Sequence, residues 1–354
     1  MTLSCHPTPA THTTFLGHED AEKIFLRAWN AQCVHHAWLI SGASGIGKAT
    51  FAYRLARFLL AKNVGDTALT LDVPTSHPVV VQITQRTHGD FYLLTPHWDE
   101  KAGRVKEGIS VAQVRELGES LSKTSVEQGW RVVLIDSVDD MNRNSANALL
   151  KMLEEPPPMV IFLVVTHALH RILPTLKSRC FSLPLKPLSR DVCRDLLATY
   201  QADMPPSERE SLLLLGEGSV GQALGLAHQG GLESYRDLVE HIRGLSDLDI
   251  PRLHEFTERI AKSPDAFRIT RHLLLWWLGR AIGCGARGAE PSEILPGENG
   301  ILRAFLSSSS LDRVAEVWDK MTALFADAEN RYLDKKQVLM RAFLLIEPFM
   351  RPAT

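Results

Sequence analysis

The sequence predicts an α/β fold built on a parallel sheet and followed by a long helical remainder. Three observations predict it. Short apolar runs at 37–41, 132–135 and 160–165 alternate with segments of helical period, the pattern of strands buried on both faces. The first run leads straight into a Gly-rich loop that opens a helix. Past about Pro187 the helical period continues to the end with no convincing strand.

The elements follow in order. Ala37–Ser41 is a strand, and Phe51, Leu55, Leu59 and Leu60 after the Gly-rich loop mark a helix. Residues 63–105 read as loops with one minor strand at Val79–Ile83. Ser110 and Gln113 form a capping box ahead of a buried stripe of Val111, Val114, Leu117 and Leu121. Val132–Ile135 is an apolar strand ending at Asp136. Ala146, Leu149, Leu150 and Leu153 mark a helix that Pro156, Pro157 and Pro158 stop. Val160–Val165 is a further strand. Breaks near Gly216–Gly218, Gly230–Gly231, Pro251 and Gly283–Gly300 suggest three parts: an α/β domain at 1–187, a small helical domain at 188–245 and a larger helical domain at 246–354. The run Leu273–Leu278, with Trp276 and Trp277 side by side, is apolar all round its helix. It reads as a core helix or an oligomer face.

Composition narrows the function classes. The 354 residues carry 39 basic and 41 acidic side chains, a net charge of −2. No overall basic field exists to hold nucleic acid, so a DNA contact needs a local patch or partner subunits. Cys5, Cys33, Cys180, Cys193 and Cys284 form no close pair, so neither a zinc knuckle nor a disulfide framework is expected, and a reducing cytoplasm suits such thiols. No signal peptide is expected. The longest apolar stretch, Met159–Val165, is far too short to span a bilayer.

Residues 42–50 read Gly-Ala-Ser-Gly-Ile-Gly-Lys-Ala-Thr, a phosphate-binding loop with one altered position. Gly42, Gly45 and Gly47 let backbone N–H groups turn inward, and Lys48 would neutralise the β- and γ-phosphates. The Mg²⁺-holding hydroxyl belongs at Ala49 but arrives one residue late, at Thr50. Asp136, at a strand tip, fits the second Mg²⁺-organising position, or else caps the next segment. Ser137 follows where hydrolysing relatives of this motif carry the Glu that orients water. Each such loss commonly costs two or more orders of magnitude in rate, so turnover at this site is not expected.

The segment His35–Gly42, the string Asn144–Pro157 (Asn-Ser-Ala-Asn-Ala-Leu-Leu-Lys-Met-Leu-Glu-Glu-Pro-Pro) and Leu176–Cys180 resemble the bacterial clamp-loader AAA+ family of DNA polymerase III. The match is strong over about residues 16–190. The resemblance implies an AAA+ P-loop domain, a helical lid and an all-helical collar through which ring subunits join. It also implies that Arg179, in the Ser178-Arg179-Cys180 triplet, is an arginine finger reaching the γ-phosphate on a neighbouring subunit. By composition alone Arg179 could equally be a surface arginine; the planar guanidinium suits bidentate phosphate contact. Thr166, following Val164 and Val165 at a strand end, would match the family's first sensor or be a routine strand-end residue. Gly221, in Gly218-Ser219-Val220-Gly221-Gln222-Ala223-Leu224, replaces the second sensor's Arg, and no cysteine between Cys33 and Cys180 supplies the family's zinc module.

The resemblance implies a hetero-oligomer with the tau/gamma motor and delta subunits. It implies contact with the sliding clamp and primed DNA through that assembly, in the cytoplasm. The chain would be a largely non-hydrolysing scaffold that requires no cofactor, binds ATP and Mg²⁺ weakly if at all, and carries no zinc. As part of the polymerase III nucleotidyltransferase complex it would not itself polymerise. The alternatives are a hydrolysing clamp-loader ATPase in which Thr50 and Asp139 or Asp140 substitute, and a P-loop kinase or repair NTPase.

Overall fold

The computed structural model describes residues 8–13, 15–61, 67–96, 98–99, 104–105, 108–123, 125, 129–288, 290–308, 310–331 and 333–351. Its described residues fall into two compact units, 1–200 with 217–222, and 201–216 with 223–354. The expected boundary at 187 thus lies inside the first unit, and that at 245 inside the second.

The first unit is a three-layer sandwich. Strands β1 (Ala37–Ser41), β2 (Phe91–Leu94), β5 (Arg131–Ile135), β6 (Val160–Thr166) and β7 (Phe181–Pro184) form one sheet in the order β2-β5-β6-β1-β7. Every pairing in it is parallel. A two-strand antiparallel ribbon, β3 (Trp98–Asp99) and β4 (Arg104–Val105), stands apart from it. Side-chain alternation divides the strand residues between two cores. Trp38, Ile40, Val132, Leu134, Ile161 and Leu163 pack with helices α1 (Glu19–Asn30), α2 (Lys48–Leu60) and α3 (Pro78–Thr84). Ala37, Leu39, Val133, Ile135, Phe162 and Val164 face α4 (Val111–Ser122), α5 (Arg143–Glu154) and the short α6 (Pro174–Lys177). Helix α7 (Arg190–Tyr200) closes the run. The parallel sheet and its flanking helices match the fold class read from the sequence.

Two local expectations change. Val79–Ile83 is helical, not a strand. Pro78 occupies the first turn, where its fixed φ suits a helix, and the His77 ring accepts from the Val79 amide. The β-branched run is tolerated because Val79, Val80 and Ile83 are buried. The strand in this region is instead β2, whose Phe91–Leu94 segment pairs with Val132–Ile135 at the sheet's edge. The Ser110–Gln113 capping box forms as expected, each residue bonding the other's backbone amide.

The second unit is helical: α8 (Pro206–Gly216), most of α9 (Val220–His228), α10 (Gly231–Arg243), α11 (Ile250–Ala261), α12 (Pro264–Arg287), α13 (Glu298–Ser307), α14 (Leu311–Arg331) and α15 (Lys335–Met350). Helix α12 packs on α10, α11 and α14, and α15 on α11 and α14. Leu273, Leu274, Trp277 and Leu278 are buried in this bundle, while Leu275 and Trp276 are partly exposed. Trp276 stacks edge-on with Tyr235 and lies under the Arg280 guanidinium. Glu298, with no exposed surface, accepts from the Tyr235 hydroxyl, from Arg280 at 2.8 Å and from the Ile294 amide at 3.1 Å. No helix among the described residues is long and apolar enough to cross a membrane.

Candidate functional site

Parallel strands carry their loops at one edge, and here β1 ends in the Gly42–Lys48 loop. Gly47 takes a left-handed φ of 100° and caps α2. Gly45 is also left-handed, at φ 76°. A side chain on it would strike Ser219 Oγ at 2.4 Å and the Gln222 amide at 2.8 Å. Lys48, 3% exposed, does not reach outward. Its ammonium donates to the Gly42 carbonyl at 2.7 Å and the Ala43 carbonyl at 2.5 Å. Burial depresses its pKa to about 8, partly opposed by the Asp136 and Asp139 carboxylates. Behind the loop, the buried His18 ring donates from Nε2 to the Ile46 carbonyl at 2.7 Å.

The outer side of the loop is also engaged. Ser219 Oγ donates to the Ser44 carbonyl at 2.7 Å. The Gly221 amide donates to the Gly45 carbonyl at 2.9 Å. A Cβ on Gly221 would lie 2.8 Å from Gly45 Cα and 2.9 Å from Gly45 O, so no side chain fits without displacing backbone. Gly221, where the resemblance leads one to expect a sensor arginine, is a steric requirement of this packing.

The acidic positions have structural employment. Asp139 accepts at Oδ1 from Thr166 Oγ1 at 2.9 Å and from the Ala168 amide at 3.2 Å, and at Oδ2 from the His167 amide at 2.6 Å. It thereby holds the loop after β6. Ser137 Oγ donates to Asp140 Oδ2 at 3.2 Å. Asp136, just beyond β5, has its pKa raised by burial, with His167 and Lys48 pulling it back down. Burial and Lys48 in turn hold the His167 imidazole below its ordinary pKa. Thr166 is thus at the strand end expected of a sensor, bonded to Asp139. His18, His167 and Ser219 are participants the motif reading missed; only the Gly218–Leu224 string carried a signal, for Ser219.

Two positions depart from the donor set that Mg²⁺–ATP uses in such a loop. Thr50 lies within α2, past the Ala49 slot, and no carboxylate stands where Ser137 does. Among the described residues no group of three or more His, Cys, Asp or Glu side chains is arranged to hold a metal ion.

Arg179 sits elsewhere. The β1–β7 register pairs Trp38 with Phe181 and Ser41 with Pro184. The phosphate loop follows Ser41 at one edge of the sheet, and Arg179 precedes Phe181 at the other. The paired strand between them spans about 10 Å, and both groups lie beyond its ends. Arg179 therefore lies beyond the opposite end of the paired strand from its own chain's loop. Its Nη1 donates to the Thr175 carbonyl at 2.8 Å and its Nη2 pairs with Glu154 Oε1 at 2.7 Å. Cys180, behind it, is largely buried, which pushes its thiol up to about 12.

Residues 17–189 match the family described as DNA polymerase III, delta subunit. The chain is 34% identical over 210 residues to the DNA polymerase III subunit delta' of Pseudomonas aeruginosa, covering 59% of this chain and 61% of that one. It is 33% identical over 213 residues to the subunit delta' of Escherichia coli, covering 58% of each. Gamma subunits are similar too: that of Buchnera aphidicola from Schizaphis graminum is 29% identical over 75% of this chain and 68% of that one. The alignments thus span about three fifths of the length of these delta' relatives. Across its P-loop unit the chain is a delta-prime-like member of the DNA polymerase III clamp-loader family.

Proposed function

We propose that the chain is a non-hydrolysing scaffold subunit of a DNA polymerase III clamp loader. In this reading Arg179 completes the ATP site of an adjoining tau/gamma-type motor subunit, and the helical second unit helps hold a hetero-oligomer that includes a delta subunit. The assembly, rather than this chain alone, engages the sliding clamp and primed DNA, in the cytoplasm. The observation that carries the reading is the contrast between the two ends of the sheet. At one end the phosphate loop is turned inward, its lysine held by its own carbonyls and its water-orienting carboxylate replaced by Ser137. At the other, Arg179 lies beyond the far end of the paired strand and keeps about a third of its side-chain surface exposed.

A guanidinium supplied in trans stabilises the charge that develops on a transferring γ-phosphoryl group, by several orders of magnitude in well-studied cases. Hydrolysis by this chain itself is the competing reading, since gamma subunits are among its relatives. The engagement of Asp139 by three donors counts against it, because it fixes that carboxylate on the loop after β6 and leaves about one acceptor site open.

The test is ATP binding and hydrolysis by the purified chain, followed by reconstitution with motor and delta subunits. The isolated chain should turn over no ATP above background. Arg179→Ala should lower the assembly's DNA-stimulated ATPase by about tenfold or more. Hydrolysis by the chain alone would sink the scaffold role, and an unimpaired Arg179→Ala assembly would sink the finger.

A further inference from the structure

Arg179 is not a free surface side chain. Its guanidinium is held from two sides by the ends of two helices. Thr175 O, in the last turn of α6, accepts from Nη1 at 2.8 Å, and Glu154 Oε1, on the last residue of α5, pairs with Nη2 at 2.7 Å. Glu154 is itself fixed in place. Pro156–Pro158 end α5 immediately beyond it, and the Leu153 carbonyl accepts from the His36 ring at 3.1 Å, tying that helix end to the start of β1. Arg179 keeps about a third of its side-chain surface exposed and Glu154 about half. The pair thus sits at the sheet's edge, open to a partner, with the arginine already oriented.

We propose that Glu154 is a positioning residue for Arg179, fixing the guanidinium before the neighbouring subunit docks. This rests on the trans-finger reading above. A free arginine distributes itself among many rotamers, and gathering them into one at docking costs free energy that would otherwise go into transition-state contact. A half-exposed ion pair is weak on its own. Its contribution here is geometric: with Thr175 O holding one end of the fork, the carboxylate removes the remaining rotation. Nη1 also donates to Ser178 Oγ at 3.5 Å, so two of the five N–H donors, that on Nε and one on Nη2, remain for phosphate oxygens. The gain belongs to the chemical step, because the finger meets the charge redistributed in the transition state while ATP is held by the motor subunit's own loop.

The experiment is DNA-stimulated ATP hydrolysis by the reconstituted assembly carrying wild-type chain, Glu154→Gln, Glu154→Asp, Arg179→Ala or the double variant Glu154→Gln/Arg179→Ala. Glu154→Gln should lower kcat by about 3- to 10-fold with KM for ATP within about twofold. Glu154→Asp should recover part of the loss, and the double variant should be no slower than Arg179→Ala alone. Thermal melting of the isolated Glu154→Gln chain should stay within about 1 °C of wild type, which a structural lesion would not allow. Two results overturn the inference while sparing the finger: Glu154→Gln equal to or faster than wild type beside a slow Arg179→Ala, or Glu154→Gln slowing the Arg179→Ala background further. An unimpaired Arg179→Ala assembly removes the finger reading and this inference with it.

Discussion

Gly221 offers the sharpest test of the closed phosphate loop. In Gly221→Ala the new methyl would lie 2.8 Å from Gly45 Cα and 2.9 Å from Gly45 O, well inside ordinary contact. Relief requires the two backbones to part by several tenths of an ångström, lengthening the 2.9 Å bond from the Gly221 amide to Gly45 O. Overpacking of this kind costs about 1–3 kcal/mol and the weakened bond about 1 kcal/mol. Alanine in a helix returns about 1 kcal/mol against glycine, so the net loss is about 1–3 kcal/mol. Gly225 is the control. It lies in the same helix α9, and a Cβ there would meet nothing within 4 Å, so Gly225→Ala should show the propensity gain alone. For units of this size 1 kcal/mol moves Tm by roughly 2–4 °C. Gly221→Ala should therefore melt about 2–12 °C lower and Gly225→Ala up to about 4 °C higher, by calorimetry. Amide exchange at Gly221 should quicken in the first variant only. If both variants gain stability together, the close approach of Gly45 and Gly221 does not exist and the loop is open on that side.

Two further outcomes follow from buried charge. Lys48 has its pKa lowered to about 8 in the folded chain, against an ordinary 10.5 when unfolded. Between those values the unfolded state binds more protons, so stability rises with pH through that window. Wild type should gain about 2–3 kcal/mol on Lys48→Met between pH 8 and 10.5, read from urea denaturation; a difference independent of pH would refute the burial of that charge. In the second unit, Arg280→Met leaves fully buried Glu298 without its cation. It should cost about 3–5 kcal/mol in the same assay, and a loss under about 1 kcal/mol would mean the pair is hydrated.

The parts of the fold legible in the sequence were those whose signal is local. β1, β5 and β6 are unbroken apolar runs because both faces are covered, and Ser110 with Gln113 announces α4 by its own hydrogen bonds. Val79–Ile83 misled because β-branched residues favour strands only when nothing local opposes them; Pro78 and the His77 cap oppose them, and burial against α2 decides. β2 was hidden because Phe91–Leu94 is short and sits at the sheet's edge. Its partner Val132–Ile135 lies some forty residues on. The candidate site divides the same way. Gly42, Gly47, Lys48, Ala49 and Ser137 speak through spacing, whereas the employment of Asp139 by Thr166, His167 and Ala168 is a tertiary fact. So is the contact between Gly45 and Gly221, which are far apart in the chain.

That last contact alters how the Gly-rich loop is understood. A glycine at 45 is ordinarily explained by a phosphate, since a backbone with φ near 76° turns N–H groups toward an anion. Here a second cause is sufficient by itself. The approach of Ser219 and Gln222 leaves no room for a side chain, and the carbonyls of Ser44 and Gly45 serve as acceptors for the start of α9. Likewise the Lys48 ammonium donates to the Gly42 and Ala43 carbonyls, so it also has a partner within the loop itself. Packing alone is therefore a sufficient reason for these letters of the motif, beside any reason that a phosphate supplies. A motif match reports that the loop can be built; which groups its donors and acceptors engage decides what the loop does.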